Sequence, residues 1–389
     1  MLEAFAHYGV QIESGATVWD AAPGRLWFEQ DGSSRLLRCQ EIVLAPGAYD
    51  RCVPFPGWTL PGVVTAGAAQ VMVRGFAIRP GQRALVAGTG PLLLPTVTAL
   101  LAAGVEIVAA LEAAPRSALL RAVPGVLRSA SRMREAWFYA RQLLRRGVRL
   151  QHGAAVFAAE GDDRVRRAVI GKVTRDGRPR RDTARTVEVD VVCAGFGLVP
   201  SIELGQRLGC EVEWRAERGG WCVRHTEYGE TTVRGVFAVG EIGGIGGSEC
   251  AIVEGEAAAE MLVARRRGLA VLAEYGHRVR AARRAADAML RAFPVLPGLF
   301  EVATPETIVC RCEDATLQQV RDAAALHGDT ARGIKMGCRA GMGPCQARIC
   351  GPNLQACAGR SPNQSTDLPV AQLPVKPVRT ATILDAPRD

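Results

Sequence analysis

The sequence predicts an α/β protein built on a parallel sheet, followed by a small cysteine-rich module. Three observations carry this. Arg83-Ala-Leu-Val-Ala87, the turn Gly88-Thr-Gly90, the apolar run from Leu92 to Ala103 and Glu106-Ile-Val-Ala-Ala-Leu111 read as strand, turn, helix and strand, a unit that implies parallel pairing. Gly235-Val-Phe-Ala-Val-Gly240 is another apolar strand, with a long helix expected over Glu249 to Arg267. Six of the twelve cysteines fall between residues 305 and 357. At 389 residues the chain is too long for one ordinary core and suggests two or three domains.

The elements follow in order. Short strand-like runs are expected at Val10 to Ile12, Leu26 to Phe28 and Glu41 to Ala45. After the strand–turn–helix–strand unit, Ser129 to Arg146 reads as an amphipathic helix and Val187 to Ala194 as a buried strand. Residues 268–304 look helical and connecting. From Ser361 the chain is rich in Pro, Thr, Val and Arg and is expected to be extended, lying along a partner because it lacks the apolar periodicity to fold alone.

Composition excludes several classes. Hydrophobic residues make up 48% and charged residues 22%, a globular profile. The net charge of +9 invites a nucleic-acid reading, but only three of the 48 basic residues are lysine and the arginines are spread along the chain; a nucleic-acid footprint should form a patch or stripe. Ala84 to Val105 carries no charge and could in length span a bilayer, but Gly88, Gly90 and Pro91 break it where a strand turns into a helix. No transmembrane segment is expected. With no export signal at the start, disulfides are not expected. The chain is expected to be cytoplasmic, reaching a membrane only through a partner.

The cysteines are arranged as Cys310-Arg-Cys312, then 32 residues, then Cys345-Gln-Ala-Arg-Ile-Cys350. Two close pairs can supply four thiolates to one small metal centre. Gly341, Gly343 and Pro344 precede the second pair and let the backbone wrap closely, aiming N–H groups at cluster sulfurs. Zinc sites more often show C-x2-C pairs, and ordinary buried cysteines do not explain four at this spacing. These residues, with Glu313 and Gln346, resemble the [2Fe-2S] domain related to bacterioferritin-associated ferredoxin, in the version fused to α subunits of opine and amino-acid dehydrogenases and to the B subunit of hydrogen cyanide synthase. The resemblance implies Cys310, Cys312, Cys345 and Cys350 as ligands. Cys338 stands where those proteins usually carry a threonine, and is either a spare thiol or a substitute ligand. Cys357 is expected to lie outside the cluster.

Gly88-Thr-Gly90-Pro-Leu-Leu93 follows a strand and opens a helix, so its glycines and helix N-terminus suit a pyrophosphate. Leu93 replaces the third glycine of the full fingerprint. Glu112 ends the next strand, where a carboxylate can accept from an adenosine ribose. The alternative is a structural turn without ligand. By resemblance, this pocket can hold NAD or an adenine nucleotide without hydride transfer. Gly235 to Glu241 resembles the late flavin-contacting strand of two-dinucleotide-domain flavoproteins, which gives Gly240 and Glu241 a role at the ribityl chain of FAD. Ala45-Pro-Gly47 and Ala194-Gly-Phe-Gly197 resemble the two crossover strands of that fold. Pro56 to Gly62 and Thr65 to Gln70 match the opine dehydrogenase and cyanide synthase group closely.

The resemblance therefore implies a disulfide-reductase-like flavoprotein fold with two dinucleotide-binding domains and a small C-terminal [2Fe-2S] domain. An incomplete FAD-type domain is expected at 1–78 and 199–267, an NAD-type domain at 79–198, a helical connector at 268–304, the cluster domain at 305–357 and a tail at 358–389. The first FAD βαβ unit is missing: no G-x-G-x-x-G turn precedes Gly88. Relatives have spent about 80 residues before the point at which Met1 enters, a figure bounded by domain size. Either the start lies upstream, which the largely intact later motifs favour, or the form is decayed or completed by a partner.

No thiol pair at the front of the flavin region suggests disulfide exchange. The histidines His7, His152, His225, His277 and His327 sit in no triad, and no residue is nominated as a catalytic base. The reading preferred on resemblance is the electron-transferring α subunit of a heteromeric flavin dehydrogenase or oxidase. An FAD-containing β subunit would oxidise a C–N bond of an amino acid, opine or glycine, and electrons would pass through this chain's cluster to an unnamed acceptor. The rivals are an NADH-dependent flavin/[2Fe-2S] reductase of nitrite reductase type and a non-enzymatic cluster-bearing scaffold.

Overall fold

A computed structural model of the protein describes residues 5, 7–127, 130–361, 367–368 and 370–387. Met1 and Ser129 lie outside the described residues. Three strands open the fold as an antiparallel meander: β1 (Thr17–Ala22), β2 (Arg25–Gln30) and β3 (Ser33–Arg38). Val10 to Ile12 does not join it. Both ends of that run are exposed coil, because three residues with no partner strand gain nothing from an extended shape. β4 (Ile42–Leu44) and β5 (Ala48–Asp50) complete the first part of the chain.

The central layer is a five-stranded, all-parallel sheet in the order β6 (Val63–Thr65), β13 (Val191–Gly195), β7 (Arg83–Gly88), β8 (Glu106–Glu112) and β9 (Leu150–His152). Its middle strands are apolar throughout, and Ala84 to Ala87 is fully buried, as helices on both faces of a parallel sheet require. The strands are linked through α1 (Ala66–Gln70), α2 (Leu93–Ala102), α3 (Ser117–Leu127) and α4 (Ala130–Arg145). Because β6 pairs with β13, this sheet begins well before residue 79, where the NAD-type domain was expected to start. Val187 to Ala194 is not one strand. β12 (Arg185–Glu188) closes a separate meander with β10 (Ala154–Glu160) and β11 (Arg167–Lys172), and the chain re-enters the sheet at Val191. Asp190 makes the break, its carboxylate accepting the backbone N–H groups of Gln82 and Arg83 at 2.8–3.0 Å.

The chain then returns to its opening strands. β14 (Leu198–Pro200) pairs with β5, so the two crossover segments meet. α5 (Glu203–Arg207) leads to the hairpin β15 (Val212–Arg215) and β16 (Gly220–Val223). β17 (Val236–Ala238) lies parallel to β4, and Val43 on β4 is 46% exposed. α6 (Ser248–Arg267) and α7 (Ala273–Leu290) follow. The last unit holds β18 (Ile308–Cys310), β19 (Ala315–Thr316), α8 (Leu317–His327), α9 (Ala331–Cys338) and α10 (Gly351–Cys357). One continuous core joins it to the sheet, running from Leu85 and Leu111 through Phe157, Leu299 and Phe300 to Leu317, Ile334 and Leu354. The candidate thiols are thus held against a rigid platform.

The tail differs from expectation. Its described residues lie on the chain's own first unit: the Val375 amide donates to the Trp19 carbonyl at 2.8 Å and the Ala371 amide to Gln206 Oε1 at 3.2 Å. It also forms a short helix, α11 (Thr380–Leu384). Val375 is 1% exposed, and this one apolar anchor supplies what the absent periodicity did not predict. Among the described residues no helix is long and apolar enough to cross a membrane.

Candidate functional site

Cys310 ends β18, Cys312 follows one residue later, Cys345 sits in the loop after α9, and Cys350 enters α10. No three His, Cys, Asp or Glu side chains among the described residues converge on a single ion. Cys310 and Cys350 are in side-chain hydrogen-bond contact, as are Cys312 and Cys345, and charge also reaches from Cys310 to Cys312 and from Cys345 to Cys350, so the four thiols form one cluster. Four thiols in one cluster are the donor set that a [2Fe-2S] centre takes. Cys310 is drawn down to about 5, first by the Cys350 thiol donating to it and then, against its burial, by the N–H groups of Gly341, Glu313 and Cys312. Cys350 is pushed up by making that donation and by burial. Backbone donors aimed at a thiolate are a lever on a cluster's potential.

The loop is built for close approach. Gln346 and Ala347 have φ of 50° and 65°, and Gly341 has φ of 89°. Two consecutive non-glycine residues in the left-handed region directly after a ligand cost energy that the site must repay. A Cβ on Gly343 would lie 2.1 Å from Cys312 Cβ. Gly343→Ala is therefore expected to displace a ligand-bearing backbone, lose most of the bound iron and cost about 1–3 kcal/mol of overpacking. Iron analysis and thermal melts check both. Cys338 donates to the Ile334 carbonyl at 3.3 Å, a helical contact that leaves it outside the paired thiols. Cys357 is 3% exposed, its thiol pushed up to about 12 by burial.

Residues that the sequence did not single out tie this loop to the rest of the chain. Arg348 pairs with Glu203 at 2.9 Å and donates to Tyr49 Oη at 2.9 Å and the Cys345 carbonyl at 3.1 Å, with a further bond to the Val375 carbonyl. Trp58 Nε1 donates to the Ile308 carbonyl at 2.6 Å, and Arg311 lies 5.4 Å above its ring. The signal was available within the motif, since Arg348 sits between Cys345 and Cys350; its partner Glu203 lies 145 positions earlier and gave none.

The Gly88–Gly90 turn forms where expected. Gly88 is fixed by sterics, because a Cβ there would lie 1.7 Å from the Gly195 carbonyl oxygen. Glu112 is 2% exposed and points back into the turn, accepting the Gly90 amide at 2.9 Å through one oxygen and the Ala114 amide at 2.9 Å through the other. Burial pushes its carboxyl up. The expected ribose acceptor thus caps the turn. Half-buried Phe293, in the segment after α7, stands 3.9 Å from where a Gly90 Cβ would be.

Glu241 is likewise turned inward, accepting the Gly246 amide at 3.0 Å and the Gly247 amide at 2.9 Å, and burial pushes it up. Gly240 donates to Glu254 at 2.8 Å, and Arg283 from α7 binds Glu254 and the Gly240 and Gly244 carbonyls. Ala45 and Gly47 lie between β4 and β5, with the Gly47 carbonyl accepting from the Ser201 amide at 3.1 Å. These residues fit the ring and ribityl end of FAD in part.

Comparison with known proteins agrees with this layout. Residues 4–280 match the model of the pyridine nucleotide-disulphide oxidoreductase family, and residues 308–357 match the BFD-like [2Fe-2S] binding domain. The A subunit of opine oxidase from Agrobacterium tumefaciens (strain Ach5) is 30% identical over 100% of this chain and 79% of its own length. The hydrogen cyanide synthase subunit HcnB of Pseudomonas aeruginosa is 30% identical over 79% of this chain and 68% of its own. Among solved structures, L-proline dehydrogenase from P. horikoshii superposes with a TM-score of 0.66 at 18% identity, over 98% of this chain and 68% of that one, a likeness of fold.

Proposed function

The chain belongs to the pyridine nucleotide-disulphide oxidoreductase family and carries a BFD-like [2Fe-2S] binding domain, and from that premise we propose that it is the electron-transferring α subunit of a heteromeric flavin enzyme. Its partner is an FAD-containing β subunit that oxidises a C–N bond of an amino acid, an opine or glycine. The observation that carries this reading is the grouping of four thiols on a unit sharing one core with the dinucleotide-binding fold. Relatives that span most of the chain are subunits of an opine oxidase and a hydrogen cyanide synthase, which supports a multi-subunit enzyme of C–N chemistry.

Cys310, Cys312, Cys345 and Cys350 would hold the cluster. When bound, such a centre passes electrons one at a time. The chain's own residues supply the rest. Gly341, Glu313 and Cys312 direct amides at the Cys310 sulfur, and Arg348 fixes the Cys345 carbonyl against Glu203 and Tyr49. The sequence nominates no base at a substrate carbon, and this reading places the oxidation on the partner. The isolated chain is expected to show no dye-linked oxidation of glycine, L-proline or an opine. A steady-state assay of the purified chain checks this, and robust turnover would refute the assignment.

A further inference from the structure

A cavity of about 580 Å³ lies between the cluster unit and the opening strands. Its size falls within the range of pockets that bury a small organic molecule. One wall is aromatic: Trp214 on β15 and Trp221 on β16, their rings 5.6 Å apart and edge to face. The opposite wall is α9 and the cluster loop, with Met336 and Met342 exposed at the rim. The polarisable thioethers of methionine suit contact with an aromatic ligand.

The cavity's charge is unbalanced. Glu203 is matched by Arg348, and Asp367 accepts the Ala331 amide at the start of α9. Arg51, Arg332 and Lys335 also line the space, and none of the three is paired with a carboxylate among the described residues. Arg51 is the telling one. It is 5% exposed, and its guanidinium donates only to neutral acceptors: the Gly219 carbonyl at 2.9 Å, the Pro352 carbonyl at 3.3 Å and Asn353 Oδ1 at 3.5 Å. A buried cation without a counter-ion is costly unless an anion completes the site.

Position adds to the case. Gly341, whose amide faces the Cys310 sulfur, is part of the cavity wall, as is Arg348, which holds the Cys345 carbonyl. The cavity wall thus includes residues that touch the thiol cluster. We propose that this cavity is a binding site for a flat, aromatic, negatively charged molecule beside the four-cysteine centre. The aromatic wall takes its ring, and Arg51, Arg332 and Lys335 take its anionic group. The inference stands independently of the substrate proposed above.

The ligand is either resident or diffusible, and one experiment separates the two sources. Acid precipitation of the purified, iron-loaded chain releases a resident aromatic chromophore in about stoichiometric amount, whereas an empty site binds an added one. For the second arm, isothermal titration uses anthraquinone-2-sulfonate, flavin mononucleotide and inorganic phosphate. At least one aromatic anion binds one to one and phosphate alone does not saturate. Arg51→Met and Lys335→Glu each weaken that binding at least about tenfold, the scale of one lost charge-assisted contact. Arg141→Glu, on α4 across the parallel sheet, leaves it unchanged. Arg51 also bridges two units, so if Arg51→Met fails to fold, Lys335→Glu at the cavity rim gives the reading, with iron content as the check on folding. No released chromophore together with no saturable binding of either aromatic anion overturns the proposal. So does binding that both variants leave unchanged.

Discussion

Replacing Cys310, Cys312, Cys345 or Cys350 with serine is expected to abolish iron binding, whereas Cys338→Ser keeps it. The parent chain should be reddish brown, with about two irons, and show a paramagnetic signal on one-electron reduction, as a four-thiolate [2Fe-2S] centre does. The four positions are not equivalent in setting: Cys310 and Cys350 are buried while Cys312 is exposed. Each nevertheless sits in the same thiol cluster, so each single change removes one of the four thiolates such a centre would take. Cys338 bonds to its own helix and is half-buried beside the site. Anaerobic purification with iron, sulfide and zinc analysis checks the result. Stoichiometric zinc without iron, or iron loss in Cys338→Ser alone, contradicts it.

The second large effect concerns the pair Arg283–Glu254, which are 7% and 2% exposed. Arg283 reaches from α7 to Glu254 on α6 and to the carbonyls of Gly244 at 2.5 Å and Gly240 at 3.1 Å. Arg283→Met strands a buried carboxylate and frees two carbonyls, with an expected loss of about 3–5 kcal/mol. The double variant Arg283→Met/Glu254→Leu removes the stranded charge and should recover part of that loss, leaving the Gly240 amide and the Gly240 and Gly244 carbonyls without these partners. Urea unfolding of the two single variants and the double variant measures the coupling. Purely additive losses would mean that the pair does not act as a unit.

The same residues show what a sequence can and cannot reveal. Strands and turns set by local chemistry were legible: Arg83 to Gly88 became β7 and Val236–Ala238 formed inside the expected run. Apolar alternation and glycine placement act within a few residues, so pattern alone finds them. The direction of a buried carboxylate does not. Glu112 ends β8 as expected and Glu241 lies in the turn after β17, yet each folds back onto two nearby amides. Unpaired amides in a tight turn claim whichever acceptor is nearest. The docking of the cluster unit was also invisible, because Arg51–Asn353 and Arg348–Glu203 join residues that are far apart in sequence. The tail was misjudged for the same reason: Val375 is held by Trp19.

We propose that electrons enter this chain from a partner protein and not from NADH. The most direct measurement is the paramagnetic signal of the reduced cluster, recorded anaerobically by freeze-quench for two samples. One is the chain alone mixed with NADH. The other is the chain co-purified with its FAD-containing partner and mixed in turn with glycine, L-proline and an opine. The account predicts no signal from NADH with the lone chain, and a signal in the complex with at least one of the C–N substrates. Rapid reduction of the lone chain by NADH, with no substrate-dependent signal in the complex, would contradict it.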